Sequence, residues 1–443
     1  MQVEENCRKP TIATPTIIPR PEHNISRANI SPNAVKVLYR LKQAGFQAHL
    51  VGGGVRDLLL GREPKDFDVA TDASPDEVRR VFRNCRLIGR RFRLAHVHFG
   101  REIIEVATFR GGSSDSGEGD RRLENGRLLR DNVYGSIEED ALRRDFTVNA
   151  LYYNIEDFSV IDYAGGLEDL NAGRLRLLGD PETRFREDPV RMLRAVRFAA
   201  KLGFTIDPEV EEAIYEQGDL LQDVPPARLF DEVLKLFMGG TAVQSYEKLC
   251  HYNLFRELFP ETDEVLGREE NRFPVVFVAK GLHNTDVRIR EGKPVTPAFL
   301  LAVLLWEPVR QLANDLLAEG EHRLPAIQQA GSVVVSQQIR RVAIPRRFSL
   351  MMKEIWSLQH RFEQRAGNRP RRLLGHPRFR AAYDFLLLRS ESGEVDPELA
   401  AWWTAFQETE QQEGGKSRQE TPASGKRRRR RRPRRRPAPA EGE

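Results

Sequence analysis

The nineteen residues from Val51 to Val69, VGGGVRDLLLGREPKDFDV, decide how the rest of the chain is read. They predict strand, glycine turn, short helix, loop and strand. Ala48, Leu50 and Val51 suit a buried strand. Gly52, Gly53 and Gly54 allow close backbone approach to a ligand, because no Cβ stands in the way. Val55 to Leu60 is helical in character, so free amides follow the glycines, and such amides attract phosphate. Arg56 adds a positive fork beside them. Asp66 and Asp68 are separated by one residue on an expected strand. Period-two alternation puts both carboxylates on one face. Paired carboxylates beside a phosphate cradle suit a hard divalent cation such as Mg²⁺. The spacing is neither that of a Walker loop nor that of a dinucleotide fingerprint.

A chain of 443 residues can hold two or three domains with sizeable cores. The net charge of +5 hides an asymmetry. The run Lys426 to Arg436, KRRRRRRPRRR, alone carries ten positive charges, so the remainder is mildly acidic. A basic tail of this kind attracts polyanions. Cys7, Cys85 and Cys250 match neither a zinc spacing nor a disulfide framework, which points to a reducing, cytoplasmic setting. The N-terminal stretch lacks the apolar core of a signal peptide. The apolar run Ala298 to Trp306 is too short to span a bilayer and reads as a core helix.

Upstream of the glycine turn, residues 1–30 read as a flexible, proline-rich arm. Ser31 and Pro32 then open a helix. Downstream, Ser74 and Pro75 start another, and residues 85–109 read as three short strands. Glu105 lies on the last of them, beside the acid pair, where a third carboxylate is plausible. His96 and His98 share a face of the middle strand and read as structural. Gly111 to Arg130 lacks apolar periodicity and reads as a mobile loop. Ser136 and Glu139 form a capping box ahead of a helix that ends in Arg143, Arg144 and Asp145. A second chemical centre follows. Pro189 suits a first helical position, which makes Asp188 the natural cap of a helix closed by Gly203. Asp188, Arg191, Arg194 and Arg197 recur every three residues and share a face. Beyond residue 205 the pattern is helical almost throughout.

Two metal-bound carboxylates suit in-line transfer from a nucleoside triphosphate, with pyrophosphate leaving. For the base, Asp188 can accept from an amino group while Arg191 donates to a ring nitrogen. Adenine and cytosine both present that order, so the edge chemistry rejects guanine and uracil and leaves ATP and CTP together.

Four blocks carry a resemblance: GGGVRD (Gly52–Asp57), DFD (Asp66–Asp68), RRD (Arg143–Asp145) and EDPVRMLR (Glu187–Arg194). Together they resemble the class II nucleotidyltransferases, the superfamily of CCA-adding enzymes and bacterial poly(A) polymerases, over roughly residues 25–260. The resemblance implies an α+β fold. A nucleotidyltransferase head with a small mixed β-sheet and flanking helices (31–180) would be followed by an all-α neck (181–260), an all-α body (261–405) and a disordered basic tail (406–443). It also implies roles. Gly52, Gly53 and Arg56 bind triphosphate, and Asp66 and Asp68 bind two Mg²⁺ ions. Arg144 contacts the nucleotide, and Asp145 completes the catalytic carboxylates, with Glu105 the alternative on geometry. Asp188, Arg191 and Arg194 form the protein template for the base. The segment RRFRLAHVHFG (Arg90–Gly100) resembles the one that sets bacterial poly(A) polymerases apart, and the arginine-rich tail points the same way. The expectation is therefore template-independent addition of AMP from ATP to RNA 3′ ends, with the Arg90–Arg93 patch and the tail on RNA phosphates and RNA-decay proteins as partners. The alternatives are a CCA-adding tRNA nucleotidyltransferase and a non-catalytic RNA-binding protein on the same scaffold.

Overall fold

The computed structural model describes residues 14–89, 93–111, 121–124, 127–131, 133–267 and 273–419. Much of the expected Arg90–Arg93 patch, the basic run 426–436 and the first thirteen residues of the expected arm lie outside them. The described residues divide into two compact units, one up to Ser357 and one from Leu358.

The first unit opens with β1 (Thr16–Ile18), α1 (Pro32–Gln43), β2 (Ala48–Val51), α2 (Gly53–Leu59) and β3 (Asp68–Thr71). Next come α3 (Pro75–Val81), β4 (Cys85–Ile88), β5 (Leu94–Phe99) and β6 (Glu102–Thr108). The hairpin β7 (Arg121–Glu124) and β8 (Arg127–Asp131) leads to α4 (Ile137–Arg143), β9 (Leu151–Asn154) and β10 (Val160–Asp162). Then follow α5 (Gly166–Ala172), α6 (Pro181–Glu187) and α7 (Val190–Leu202). Eight strands form one mixed sheet in the order β1-β10-β9-β2-β3-β6-β5-β4. Only β3 and β6 pair in parallel within it.

The local signals explain these elements. The Ser31 hydroxyl accepts from Asn33 N at 3.1 Å, and Pro32 occupies the first turn of α1. That helix buries Ala34, Val37, Leu38 and Leu41, a 3.6-period stripe. Capping boxes Ser74–Glu77 and Ser136–Glu139 open α3 and α4. The left-handed Gly203 closes α7 at φ +76°.

Several expectations are corrected. The arm is not wholly loose: β1 joins the sheet as its edge, with Ile18 opposite Val160. Its apolar Ile17 and Ile18 were masked by the flanking prolines. Within the expected mobile loop, β7 and most of β8 are paired antiparallel strands; residues 112–120, 125 and 126 lie outside the description. Helix Phe273–Arg290 falls within the expected all-α body, and helix Pro397–Gln419 begins there. The second also runs past residue 406, where a disordered tail was expected.

The second unit has its own aromatic core. Trp403 is fully buried and meets Phe362 edge to face at 5.0 Å. Its indole Nε1 donates to the Phe362 carbonyl at 2.9 Å, which satisfies the buried N–H. Leu373, Phe379, Tyr383 and Leu386 complete the cluster.

Candidate active site

The site is a transverse row across the sheet. Antiparallel pairing sets Val51 of β2 opposite Asp68 of β3, and parallel pairing sets Asp68 opposite Glu105 of β6. On the other side Val51 faces Tyr152 of β9. Register partners share a face, so Tyr152, Asp68 and Glu105 project to one side.

Gly52 makes the turn out of β2 at φ +75° and ψ −143°, a conformation reserved for glycine. A Cβ there would stand 3.8 Å from Asp68 Oδ2 and 3.7 Å from an Arg144 guanidinium nitrogen. The glycine bend, an acid and a fixed cation therefore meet at one point. A Cβ on Gly54 would lie 3.3 Å from the Asp66 carbonyl, so the bend also presses on the acid-bearing loop.

The acids differ from expectation in placement. Only Asp68 begins β3; Asp66 sits in the loop before it and is exposed. Asp68 is pushed up to about 6, first by burial and then by the charge of Glu105; Asp66 adds to the rise and Arg144 opposes it. Glu105 is in turn met by His96, its cross-strand partner on β5, with Nε2 3.3 Å from Oε2. Asp145, expected to complete the carboxylates, faces another way. It accepts from Arg194 Nε at 2.8 Å and again from the same guanidinium, and from Asn149 at 3.2 Å. The Arg194 charge and these donors hold its carboxyl well below the usual range, against the opposing effect of burial.

Arg56 also departs from expectation. Its side chain is 2 % exposed and does not reach outward as a phosphate fork. It donates to Asp57 at 2.6 and 2.9 Å and to Asn149 at 2.6 Å, and it covers the Phe198 ring. α2 turns this residue inward, so Arg56 braces the glycine turn from behind; a Cβ on Gly53 would lie 3.4 Å from it.

The outward cation is Arg144. Its Nε donates to the Tyr152 hydroxyl at 2.9 Å and its terminal nitrogen to Asp140 at 2.9 Å. Tyr152 donates to the same Asp140 oxygen at 2.6 Å, and the second oxygen accepts from the Arg110 amide at 3.1 Å. Asp140 thus stays ionised although burial opposes it, with Arg144 the chief cause. Sequence reasoning missed Asp140 and Tyr152. The i,i+4 spacing of Asp140 to Arg144 was the available signal. Val51, Asp68, Leu94, Glu105, Arg143 and Arg144 are among the residues lining one cleft of about 130 Å³.

The second centre is a lattice of ion pairs. Asp188 does not cap α7. Its carboxylate forms a bidentate pair with Arg228 at 2.6 and 2.7 Å, from a helix spanning Pro226–Phe237. Arg191 donates to Glu187 at 3.0 Å and to the Arg184 carbonyl at 2.6 Å. Arg184 donates to the carbonyls of Arg143 and Arg144 at 2.8 and 2.6 Å, which ties this centre to the end of α4. Arg228 and Arg184 were not foreseen; nothing in their local spacing marks them.

The carboxylates of the row, Asp66, Asp68 and Glu105, offer oxygen ligands, which suits Mg²⁺ over a softer metal. Among the described residues no group of three His, Cys, Asp or Glu side chains could hold a metal ion unaided. A Mg²⁺ site needs only one or two carboxylates beside substrate phosphates and water. Burial, and after it the charge of Glu105, raises Asp68, and a cation held beside Asp66, Asp68 and Glu105 would oppose that rise.

Taken together, an acid row beside a glycine bend on a mixed sheet defines a nucleotidyltransferase head. Comparison with known proteins agrees. Residues 48–176 match the model for the poly A polymerase head domain. Residues 203–266 match a probable RNA and SrmB-binding site of polymerase A, and 319–436 match a polymerase A arginine-rich C-terminus. Poly(A) polymerase I of Salmonella typhi is 53 % identical, with 91 % of this chain and 89 % of that protein covered. The Haemophilus influenzae counterpart is 48 % identical over 88 % of each chain. The CCA-adding enzyme of Bacillus subtilis is 42 % identical, over only 51 % of this chain and 55 % of its own. Among solved structures, a tRNA nucleotidyltransferase complexed with a primer tRNA and an incoming ATP analog matches with TM-score 0.58 and 24 % identity, over 85 % of this chain and 98 % of that one; it shows the fold. The chain belongs to the poly(A) polymerase I family, and the expected α+β head with helical domains is the fold it has.

Proposed function

We propose that this enzyme adds AMP from ATP to RNA 3′ ends, without a template, releasing pyrophosphate. The observation that carries the reading is the meeting of Gly52, Asp68, Glu105 and Arg144 at one cleft. Asp66 and Asp68 would hold Mg²⁺, with Glu105 rather than Asp145 as the third carboxylate, because Asp145 is committed to Arg194. When bound, the ion lowers the pKa of an attacking hydroxyl and neutralises charge on the phosphates. The chain's own residues do the rest. Gly52 lets the triphosphate approach the backbone, and Arg144, braced by Asp140 and Tyr152, meets its charge. The RNA 3′-oxygen bonds to the α-phosphorus as the bond to the pyrophosphate oxygen breaks. The hydroxyl proton leaves to water at the cleft.

Base selection is assigned to Asp188 and Arg191, held in register by Arg228, Glu187 and Arg184, with Arg194 fixing their helix to the head through Asp145. The stretch 203–266 and the basic tail are the RNA-contacting parts in this reading, and a partner of the RNA-decay machinery fits the same stretch. Among the described residues no helix is long and apolar enough to cross a membrane, and we place the enzyme in the cytoplasm. The test is incubation of the full chain with RNA, Mg²⁺ and each nucleotide singly. A long ladder with ATP alone is expected; a short addition that requires CTP would overturn the assignment.

A further inference from the structure

We infer that the open face of β4, β5 and β6 is the track on which the 3′-terminal nucleotides of the acceptor RNA lie. This rests on the RNA-extending activity proposed above and names a surface that activity does not itself specify. The argument begins with register. Arg86 pairs with His96, His96 with Glu105, and Glu105 with Asp68, so a single row runs from the edge of the sheet to the acid centre. Period two then puts Ile88, Leu94, His98 and Ile103 on the same face, since Ile88 pairs with Leu94 and His98 with Ile103.

The two faces of these strands differ in what they meet. Ala95, Val97, Ile104 and Val106 point to the other side and are buried. On the acid side Ile88 is 42 % exposed and Ile103 43 %, and Arg86 is exposed. Ile88, opposite Leu94, and Ile103, opposite His98, flank the Arg86–His96–Glu105 row on its two sides, so apolar surface borders the charged row that leads to the acid centre. The surface is continuous with the cleft, because Leu94 lines it together with Asp68 and Glu105.

Direction and charge select the occupant. The glycine bend and Arg144 stand on the β2 side of Asp68, and Glu105 stands on the other. In-line displacement keeps the attacking and leaving oxygens on opposite sides of phosphorus. With pyrophosphate leaving toward Gly52 and Arg144, the attacking hydroxyl arrives from the Glu105 side, over β5 and β4. Glu102 projects to the opposite face, where it is held by Ser31 and Asn33, so it places no negative charge on the track. Aliphatic side chains and imidazoles accept the faces of any base, and Arg86 accepts a phosphate. Such a surface is tolerant of sequence, as an enzyme tailing many RNAs requires.

Extension of a short oligoadenylate by the full chain tests this. Ile103→Asp and Arg86→Glu should each raise the KM for RNA about tenfold, the scale of one lost stacking or phosphate contact. Ile103→Tyr should hold or lower it. The KM for ATP and the rate at saturating RNA should move less than twofold, and melting curves should match the parent because both sites are exposed. In parallel, RNA bearing 4-thiouridine near its 3′ end should crosslink within residues 85–88 or 94–108. An unmoved RNA KM, an ATP KM that rises in step, or crosslinks confined to other segments would each overturn the assignment. A parent chain that extends no RNA would sink the activity reading instead, and the crosslink would still report on the surface.

Discussion

Asp68 is a carboxylate that the fold makes costly to ionise. Its proton affinity is raised in the folded state, from the ordinary 3.8 to about 6, by burial and by Glu105. A raised carboxylate contributes stability that is present below the unfolded value and is lost as pH rises through the folded one. Without metal, the Asp68 contribution should therefore grow as pH falls from 7.5 to 5, although buried His49, lowered to about 4, loses stability over the same window. Asp68→Asn should remove that contribution and stabilise the metal-free protein at pH 8 by on the order of 1 kcal/mol, part of the full linkage being screened by solvent. Melting curves of both proteins in EDTA across that range measure it, and a difference between them that does not shrink as pH falls would contradict the raised proton affinity of Asp68. The same substitution should cut RNA extension by more than about 100-fold, as expected for loss of a ligand at a metal-assisted site.

Glu105 and Asp145 should part company under substitution. Glu105→Gln keeps the shape of β6 and removes a charge beside Asp68, so kcat should fall at least about 100-fold with little change in melting. Asp145→Asn instead leaves Arg194 facing a neutral amide. Arg194 is one-third exposed, so the cost is discounted to about 1–2 kcal/mol. Asp145 has a depressed folded pKa, so its contribution is present above the unfolded value and fades as pH falls through the folded one. Sequence alone left these two acids open because one is near in register and the other near in motif. The pairing of β3 with β6 puts Glu105 beside Asp68, and the two substitutions above test which acid serves the reaction.

At the scale of elements, the legible features were those encoded within a few residues. Ser31, Ser74 and Ser136 mark helix starts because capping is a local hydrogen bond, and all three cap in the structure. The row behind the site was not legible, because it depends on which strands become neighbours. Arg56 shows the difference: its place beside the glycines was plain, whereas its inward turn depends on Asn149, 93 residues away. The Asp140–Tyr152–Arg144 network is likewise built by packing α4 on β9. Tyr152→Phe removes the hydroxyl that both braces Arg144 and donates to Asp140, while the ring stays in the core. The loss of hydrogen bonds to charged groups should raise the KM for ATP roughly tenfold, with kcat reduced less. A kinetic split in the opposite sense would mean that Arg144 serves the chemistry and not the binding of triphosphate.

At the scale of the molecule, charge is distributed against function in a way that composition alone conceals. The net charge of +5 is the small difference between an acidic body and the ten positive charges of Lys426 to Arg436. The head binds by shape and by a few placed charges, whereas the tail can act only through screened attraction to phosphates. The two contributions should therefore separate by salt. Each phosphate contact made with single-stranded RNA adds about 0.7 to the slope of log K against log salt. Deleting residues 426–436 should lower that slope by several units and weaken RNA binding most at low ionic strength. The core around Trp403 and Phe362 lies wholly before the deletion, so melting should stay within about 0.5 kcal/mol of the parent. The KM for ATP should not move, because the cleft at Gly52 and Arg144 is built from residues before 153. RNA affinity measured from 50 to 200 mM salt for both chains decides the matter. Equal slopes would show that the basic run makes no phosphate contacts and that the body, despite its acidity, holds the RNA alone.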